Sequence, residues 1–180
     1  MQSIISALDD PYREMVGDIW GGLKAVAGLK QLAGAIDPHF THLSAEHFDP
    51  QVAEQVLPRI AAATPAFSVA TGAIGVLRGQ RHLLYVPVLA NDALAHLHEM
   101  IWREVTPLAS GVREAYAAAT WAPHITLAIG RIDDARMPEV LRFLKGRDTR
   151  WTLPVTNLCL IPDTRSGAEG WLRFPLAAAR

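Results

Sequence analysis

The chain has 180 residues, half of them hydrophobic and 19% charged, with a formal net charge of −1. That length suits one domain with a sizeable core. The near-neutral balance excludes a non-specific grip on long nucleic acid, while leaving room for a small anion or one RNA end.

Residues 3–8 are apolar enough for a first strand. Asp10-Pro11 then starts a helix over 11–27, with Asp capping free N–H groups and Pro losing nothing at the first helical position. Tyr12, Met15, Val16, Ile19, Trp20, Leu23 and Val26 recur at helical spacing. Gly21-Gly22 within this run predicts a kink or an early end. Residues 29–36 fit neither template. A strand follows over 38–43. Asp49-Pro50 repeats the cap-plus-proline start, for a helix to about Ala63 that buries Val52, Val56, Leu57 and Ile60. Residues 67–77 read as a strand with a bend or bulge at its glycines, Gly72 and Gly75. Gly79-Gln80 turns into a strand over 82–88, where Pro87 predicts an edge or a strand end. Asn91 or Asp92 caps a helix that buries Leu94, Leu97, Ile101 and Val105. Residues 107–120 are largely loop, with helix around 112–118. A strand covers 121–130. Pro138 opens a short helix with Val140, Leu141 and Leu144 inward and Gly146 at its end. Residues 151–161 read as one long strand, 162–170 as a polar turn and 171–176 as a last strand.

Two of these strands carry one motif. Asp37-Pro38-His39-Phe40-Thr41 and Ala122-Pro123-His124-Ile125-Thr126 share Pro-His-apolar-Thr, and 85 residues separate the histidines. Seven histidines placed at random would give one His-x-Thr less than once. Side chains two apart on a strand share a face. His39 therefore points with Thr41 and His124 with Thr126, while the residues between them point to the core.

The surroundings repeat as well. Each motif strand follows a strand and a helix, and is followed by a helix and another long strand. From His39 to Phe67 is 28 residues, and from His124 to Trp151 is 27. The expected fold is α+β: one bilobal, duplicated domain over 1–180, with pseudo-symmetric halves of approximately 1–80 and 81–180. Two antiparallel-rich sheets would flank a central cleft, with helices packed outside.

Paired imidazoles suit phosphodiester chemistry. One neutral His takes a proton from the attacking oxygen while the other, protonated, gives one to the leaving oxygen. The Thr41 and Thr126 hydroxyls would donate to non-bridging phosphate oxygens and stabilise transition-state charge. His39, His124, Thr41 and Thr126 are the candidate catalytic residues.

With two His-x-Thr motifs on paired halves, the chain resembles the 2H phosphoesterase superfamily. Pro123-His124-Ile125-Thr126-Leu127-Ala128-Ile129-Gly130 is similar to the second motif of its 2′-5′ RNA ligase-like and cyclic nucleotide phosphodiesterase branch. The resemblance implies metal-independent hydrolysis of a 2′,3′-cyclic or 1″,2″-cyclic phosphate, or reversible 2′-5′ RNA end joining, with the same four residues as the catalytic set. Two departures stand out. His42 follows the first Thr where the family usually has an aliphatic residue. The Arg that ligase-like members carry near position 129 is Ile here, with Arg131 close by.

Arg131, Tyr116 and Trp121 are candidate substrate-binding residues, the aromatics as stacking platforms; Arg78 and Arg81 are further candidates to neutralise phosphate. A zinc set of His39, His42, His47 and Glu46 is disfavoured, because His39 and His42 fall on opposite strand faces. His96 and His98 read as solvated or half-buried, and Trp20, Trp102, Trp151 and Trp171 as core. The lone Cys159 excludes an intrachain disulfide. No cofactor is expected. The partner would be a small phosphorylated substrate, a nucleotide or an RNA end. No apolar run reaches membrane-spanning length and no leader-like segment opens the chain, so a cytoplasmic monomer is expected. A rival reading is a protein that binds a nucleotide or RNA end in the same cleft without turnover.

Overall fold

The computed structural model describes residues 1–27, 37–78, 81–130, 132, 135–162 and 170–179. The 29–36 run, the Gly79-Gln80 turn, Arg131 and most of the 162–170 turn lie outside them. In chain order the elements are β1 (Gln2–Ala7), α1 (Tyr12–Ala27), β2 (His39–Ala45), β3 (His47–Phe48), α2 (Leu57–Ala63), β4 (Phe67–Thr71), β5 (Gly75–Leu77) and β6 (His82–Leu89). After these come α3 (Asp92–Val105), β7 (Ala109–Ser110), β8 (His124–Gly130), α4 (Met137–Leu144), β9 (Thr152–Val155), β10 (Asn157–Ile161) and β11 (Leu172–Pro175).

The strands form one curled antiparallel sheet in the order β11-β10-β1-β2-β8-β6-β4-β9, with β5 also on β6 and a separate β3-β7 ribbon. The two sides of this sheet meet where the motif strands β2 and β8 lie next to each other, through the pair Phe40↔Ile125. The helices cover the face opposite the motif side chains. Val16, Ile19 and Leu23 of α1, Leu57 and Ile60 of α2, and Leu94, Leu97, Ile101 and Val105 of α3 share one core with Phe40, Leu43, Leu84, Val86 and Ile125. Each such side chain contributes roughly 1.5–3 kcal/mol on full burial. The α+β architecture with outer helices is as expected.

Local chemistry explains where element boundaries depart from expectation. Asp10 does not cap α1: its carboxylate takes the Arg13 guanidinium at 2.8 and 3.0 Å. The helix runs through Gly21-Gly22, and α4 packs close there: an added Cβ at Gly22 would meet the Phe143 ring, which would have to swing away. The helix after Asp49-Pro50 opens as a π turn over Val52–Val56 before α2. Pro58 explains the wide turn, since it has no N–H for the carbonyl four residues back and its ring crowds that carbonyl. The helix expected around 112–118 is shorter, a single 3₁₀ turn at Glu114–Tyr116. In α4, Met137, Val140 and Leu144 face inward, whereas Leu141 is 39% exposed.

Pro87 does not mark an edge, because β6 lies between β8 and the β4/β5 side. It stands where β4 has given way to β5. There Gly72 approaches so closely that a Cβ would lie 2.8 Å from the Pro87 ring, and Gly72 N–H donates to the Pro87 carbonyl at 2.9 Å. The long strand over 151–161 is two strands. β9 pairs with β4 on one side of the sheet, and β10 with β1 on the other. The chain crosses at Thr156, whose hydroxyl donates to the Asp9 carboxylate and whose carbonyl accepts Leu176 N–H at 2.8 Å. Among the described residues, no helix is long and apolar enough to cross a membrane.

Candidate active site

Phe40 and Ile125 are buried in the core, so the residues flanking them turn to the opposite face. Antiparallel pairing of Phe40 with Ile125 sets His39 opposite Thr126 and Thr41 opposite His124. The four predicted residues thus form a square, with the histidines at one diagonal and the threonines at the other. Directly opposed Cβ atoms stand about 4.5–5.5 Å apart in such pairs. All four side chains are half-buried.

The two histidines are held identically. His39 Nδ1 donates to the Asp37 carbonyl at 2.8 Å, and His124 Nδ1 to the Ala122 carbonyl at 2.7 Å. A carbonyl only accepts, so each neutral ring carries its proton on Nδ1 and keeps its lone pair on Nε2. The intervening prolines explain the motif's spelling: each fixes φ at about −65° and holds the preceding residue extended. Burial pushes the His39 pKa down. The bond to the Asp37 carbonyl and the Asp37 charge oppose that fall, and the His124 charge adds to it. Each ring also meets an aromatic: Trp171 lies edge-on to His39 at 6.4 Å between centroids, and Tyr85 edge-on to His124 at 5.6 Å. Tyr85 pairs with Thr126 across β6/β8 and lies over Gly75, where a Cβ would stand 2.6 Å from its ring.

Both motif strands are bulged at the same point. Thr41 pairs with Ile5 and Leu43 with Ile4, leaving His42 as the extra residue. Thr126 pairs with Tyr85 and Ala128 with Leu84, leaving Leu127 extra. Bulges bend a strand and re-aim its side chains, and they recur beside active sites. His42 and Leu127 are therefore equivalent, and both are buried.

His42 faces the core, as strand alternation predicts. Ser6 Oγ donates to the Asn157 carbonyl at 2.9 Å, so the 2.8 Å contact between Ser6 Oγ and His42 Nε2 has His42 as donor. His42 Nδ1 has no hydrogen-bond partner among the described residues. Complete burial lowers the His42 pKa to about 3, with the charge of His98 adding to the effect.

The other candidates take different places. Trp121 lies against His98, with ring centroids 3.7 Å apart and planes 9° from parallel, and its indole N–H donates to the Thr41 carbonyl at 2.9 Å. Tyr116 is half-buried against the core, and its carbonyl accepts His98 Nε2–H at 3.0 Å. Arg131 is outside the described residues, and Arg78 and Arg81 are exposed. His98 is only 3% exposed, contrary to the sequence expectation, because it lies beside the stripe that buries α3 and finds the Tyr116 carbonyl. Trp171 and Tyr85 are neighbours of the site that the sequence does not mark as such. Strand register places Tyr85 beside Thr126, whereas Trp171, just before β11, reaches His39 only through the ring contact. Among the described residues, no group of three or more His, Cys, Asp or Glu is placed to hold a metal ion.

Known proteins share this arrangement of elements. A model of the family described as the 2′-5′ RNA ligase superfamily matches residues 10–167. No curated protein matches the chain. Among solved structures, TT0787 of Thermus thermophilus is similar at a TM-score of 0.62 and 14% identity, covering 99% of each chain. A structure titled as a phosphoesterase gives a TM-score of 0.58 at 18% identity, covering 98% of this chain and 97% of that one. Kluyveromyces marxianus Usb1, also solved with uridine monophosphate, gives 0.56 at 13% identity over 97% of both chains. At these identities the likeness is one of fold.

Proposed function

This chain belongs to the 2′-5′ RNA ligase superfamily, and from that premise we propose that it is a metal-independent phosphoesterase acting on a cyclic phosphate or a 2′-5′-linked nucleotide or RNA end. The observation that carries the reading is the mirrored pair of histidines. Each is locked by Nδ1 to the carbonyl two residues upstream, with Nε2 left for chemistry and a threonine of the other motif opposite it.

In hydrolysis of a 2′,3′-cyclic phosphate, water attacks phosphorus as Nε2 of His39 takes its proton. The new P–O bond forms, one ribose O–P bond breaks, and the proton on Nε2 of His124 passes to the departing ribose oxygen. The product is a phosphomonoester with a free neighbouring hydroxyl, and exchange with solvent restores both rings. His39 is assigned as base because its lowered pKa keeps it neutral at neutral pH. The Thr41 and Thr126 hydroxyls donate to the non-bridging oxygens. Trp171 and Tyr85 offer aromatic surface on either side of the pair for a base. A protein of the same fold, Usb1, is solved with uridine monophosphate, in keeping with a nucleotide as the ligand class.

The test is hydrolysis of 2′,3′-cyclic nucleotides and of a cyclic-phosphate-ended oligonucleotide in the presence of EDTA. Turnover undiminished by chelator is expected. Absence of turnover by a folded protein that still binds these ligands would replace the enzyme with a binding protein. Thr41→Val and Thr126→Val, which keep shape and remove the hydroxyl, should each lower kcat by about 10- to 10³-fold. An effect confined to KM would remove the threonines from transition-state stabilisation.

A further inference from the structure

Each motif threonine stands where the sheet is interrupted on both sides. On its outer side the ladder is broken by the bulge at His42 or Leu127. On its inner side the shared register of β2 and β8 is Phe40↔Ile125. The Pro38 carbonyl accepts Leu8 N–H, next to β1, and the Pro123 carbonyl accepts Val88 N–H, next to β6. Main-chain groups alternate along a strand, so the carbonyls of Thr41 and Thr126 turn the other way, into the seam between β2 and β8. A buried carbonyl left without a donor is costly, and its strand is free to shift.

Two indoles supply those donors. Trp121 Nε1–H reaches the Thr41 carbonyl at 2.9 Å, and Trp20 Nε1–H reaches the Thr126 carbonyl at 3.2 Å. The arrangement is crossed. Trp121 lies three residues before His124, in the segment leading into β8, yet it holds β2. Trp20 lies on α1, in the segment leading toward β2, yet it holds β8. Both rings are themselves fixed: Trp20 is buried in the core, and Trp121 is stacked on His98, with His42 5.8 Å away at 27°. His98 is held in turn by the Tyr116 carbonyl.

We infer that Trp20 and Trp121 are positioning residues. They form a crossed brace that sets the spacing of the two His-x-Thr motifs by holding the main-chain carbonyl of each threonine from the other motif's side. The inference rests on the proposed reaction for its catalytic consequence, but the brace itself is a property of the seam. Phenylalanine at either position keeps an aromatic ring and removes the donor. Trp151→Phe is the control, because Trp151 Nε1–H donates to the Asp148 carbonyl at 3.1 Å, a bond of the same kind away from the motifs.

The experiment measures kcat and KM on a 2′,3′-cyclic nucleotide together with residue-resolved amide hydrogen exchange for the wild type and the three variants. Trp121→Phe should speed exchange around Thr41 in β2, and Trp20→Phe around Thr126 in β8. Each should lower kcat by about 3- to 10-fold with KM within about twofold, the scale of one hydrogen bond lost in the transition state. Trp151→Phe should do neither. Wild-type exchange at both threonine segments would overturn the brace. Faster exchange with unchanged kcat, or slowed turnover with exchange raised evenly through the core, would overturn the positioning role. If the wild-type protein hydrolyses no cyclic phosphate, the proposed reaction fails, and the crossed exchange pattern alone decides whether the brace exists.

Discussion

Alanine at either His39 or His124 lowers turnover of a 2′,3′-cyclic nucleotide by about 10²- to 10⁴-fold, because each removes one proton transfer from the transition state. The double variant falls little further, since two groups that act together lose their effect together. The pair is nearly symmetric in anchoring, with Nδ1 contacts of 2.8 and 2.7 Å, but not in environment. Burial holds His39 below the usual imidazole range, with the His124 charge adding to the drop. A base must be unprotonated, so the rate falls as pH drops through the His39 pKa, and that limb lies below the position a free imidazole would give. In His39→Ala the limb disappears from whatever activity is left. NMR titration of the Cε1–H resonances assigns the limb directly. A His39 that titrates at or above the free imidazole value would reverse the roles of base and acid, and activity within tenfold of wild type in either single variant would end the two-histidine scheme.

The reason this site could be read from the sequence is local. Pro-His-apolar-Thr encodes an extended residue, a ring anchored to the carbonyl two back, a core-facing anchor and a hydroxyl on the ring's side, all within five residues of one strand. Helix stripes such as Leu94, Leu97, Ile101 and Val105 were legible for the same reason, because period and burial coincide. What the sequence hid depends on partners far along the chain. Residues 151–161 are uniformly strand-like, and nothing local marks Thr156 as the crossing; Asp9 and Leu176, which hold it, are distant. Pro58 is the local exception: it sits in the middle of a good helical pattern, and its missing N–H opens the π turn over Val52–Val56. Trp20 carries a perfect core signal and is core, yet its N–H has a second task that only the seam reveals.

His42 shows how a departure from the family pattern acquires a physical cost. It occupies the bulge position that Leu127 fills in the second motif, and it is 0% exposed. Its neutral form fits: Nε2–H donates to Ser6 Oγ, and the rings of Phe40 and Trp121 lie alongside. Its cation does not fit, because the new N–H on Nδ1 would be buried without an acceptor among the described residues and near a second histidine whose pKa burial lowers, His98. The folded pKa of about 3 lies below the ordinary value of 6.5, so the unfolded chain binds the extra proton first. Stability from this group is therefore complete above about pH 6.5 and is lost as pH falls toward 3. The span corresponds to a loss on the order of 5 kcal/mol across that window, a large share of a typical domain's stability. His39 and His98, also lowered, push in the same direction. Urea midpoints measured from pH 7 to pH 3 should drop steeply in the wild type, and His42→Leu, which copies the second motif, should flatten that drop while leaving the residual slope of the other two. Parallel slopes in the two proteins, or a His42 resonance titrating near 6.5, would show that the buried ring tolerates its charge and that the departure at this position is neutral.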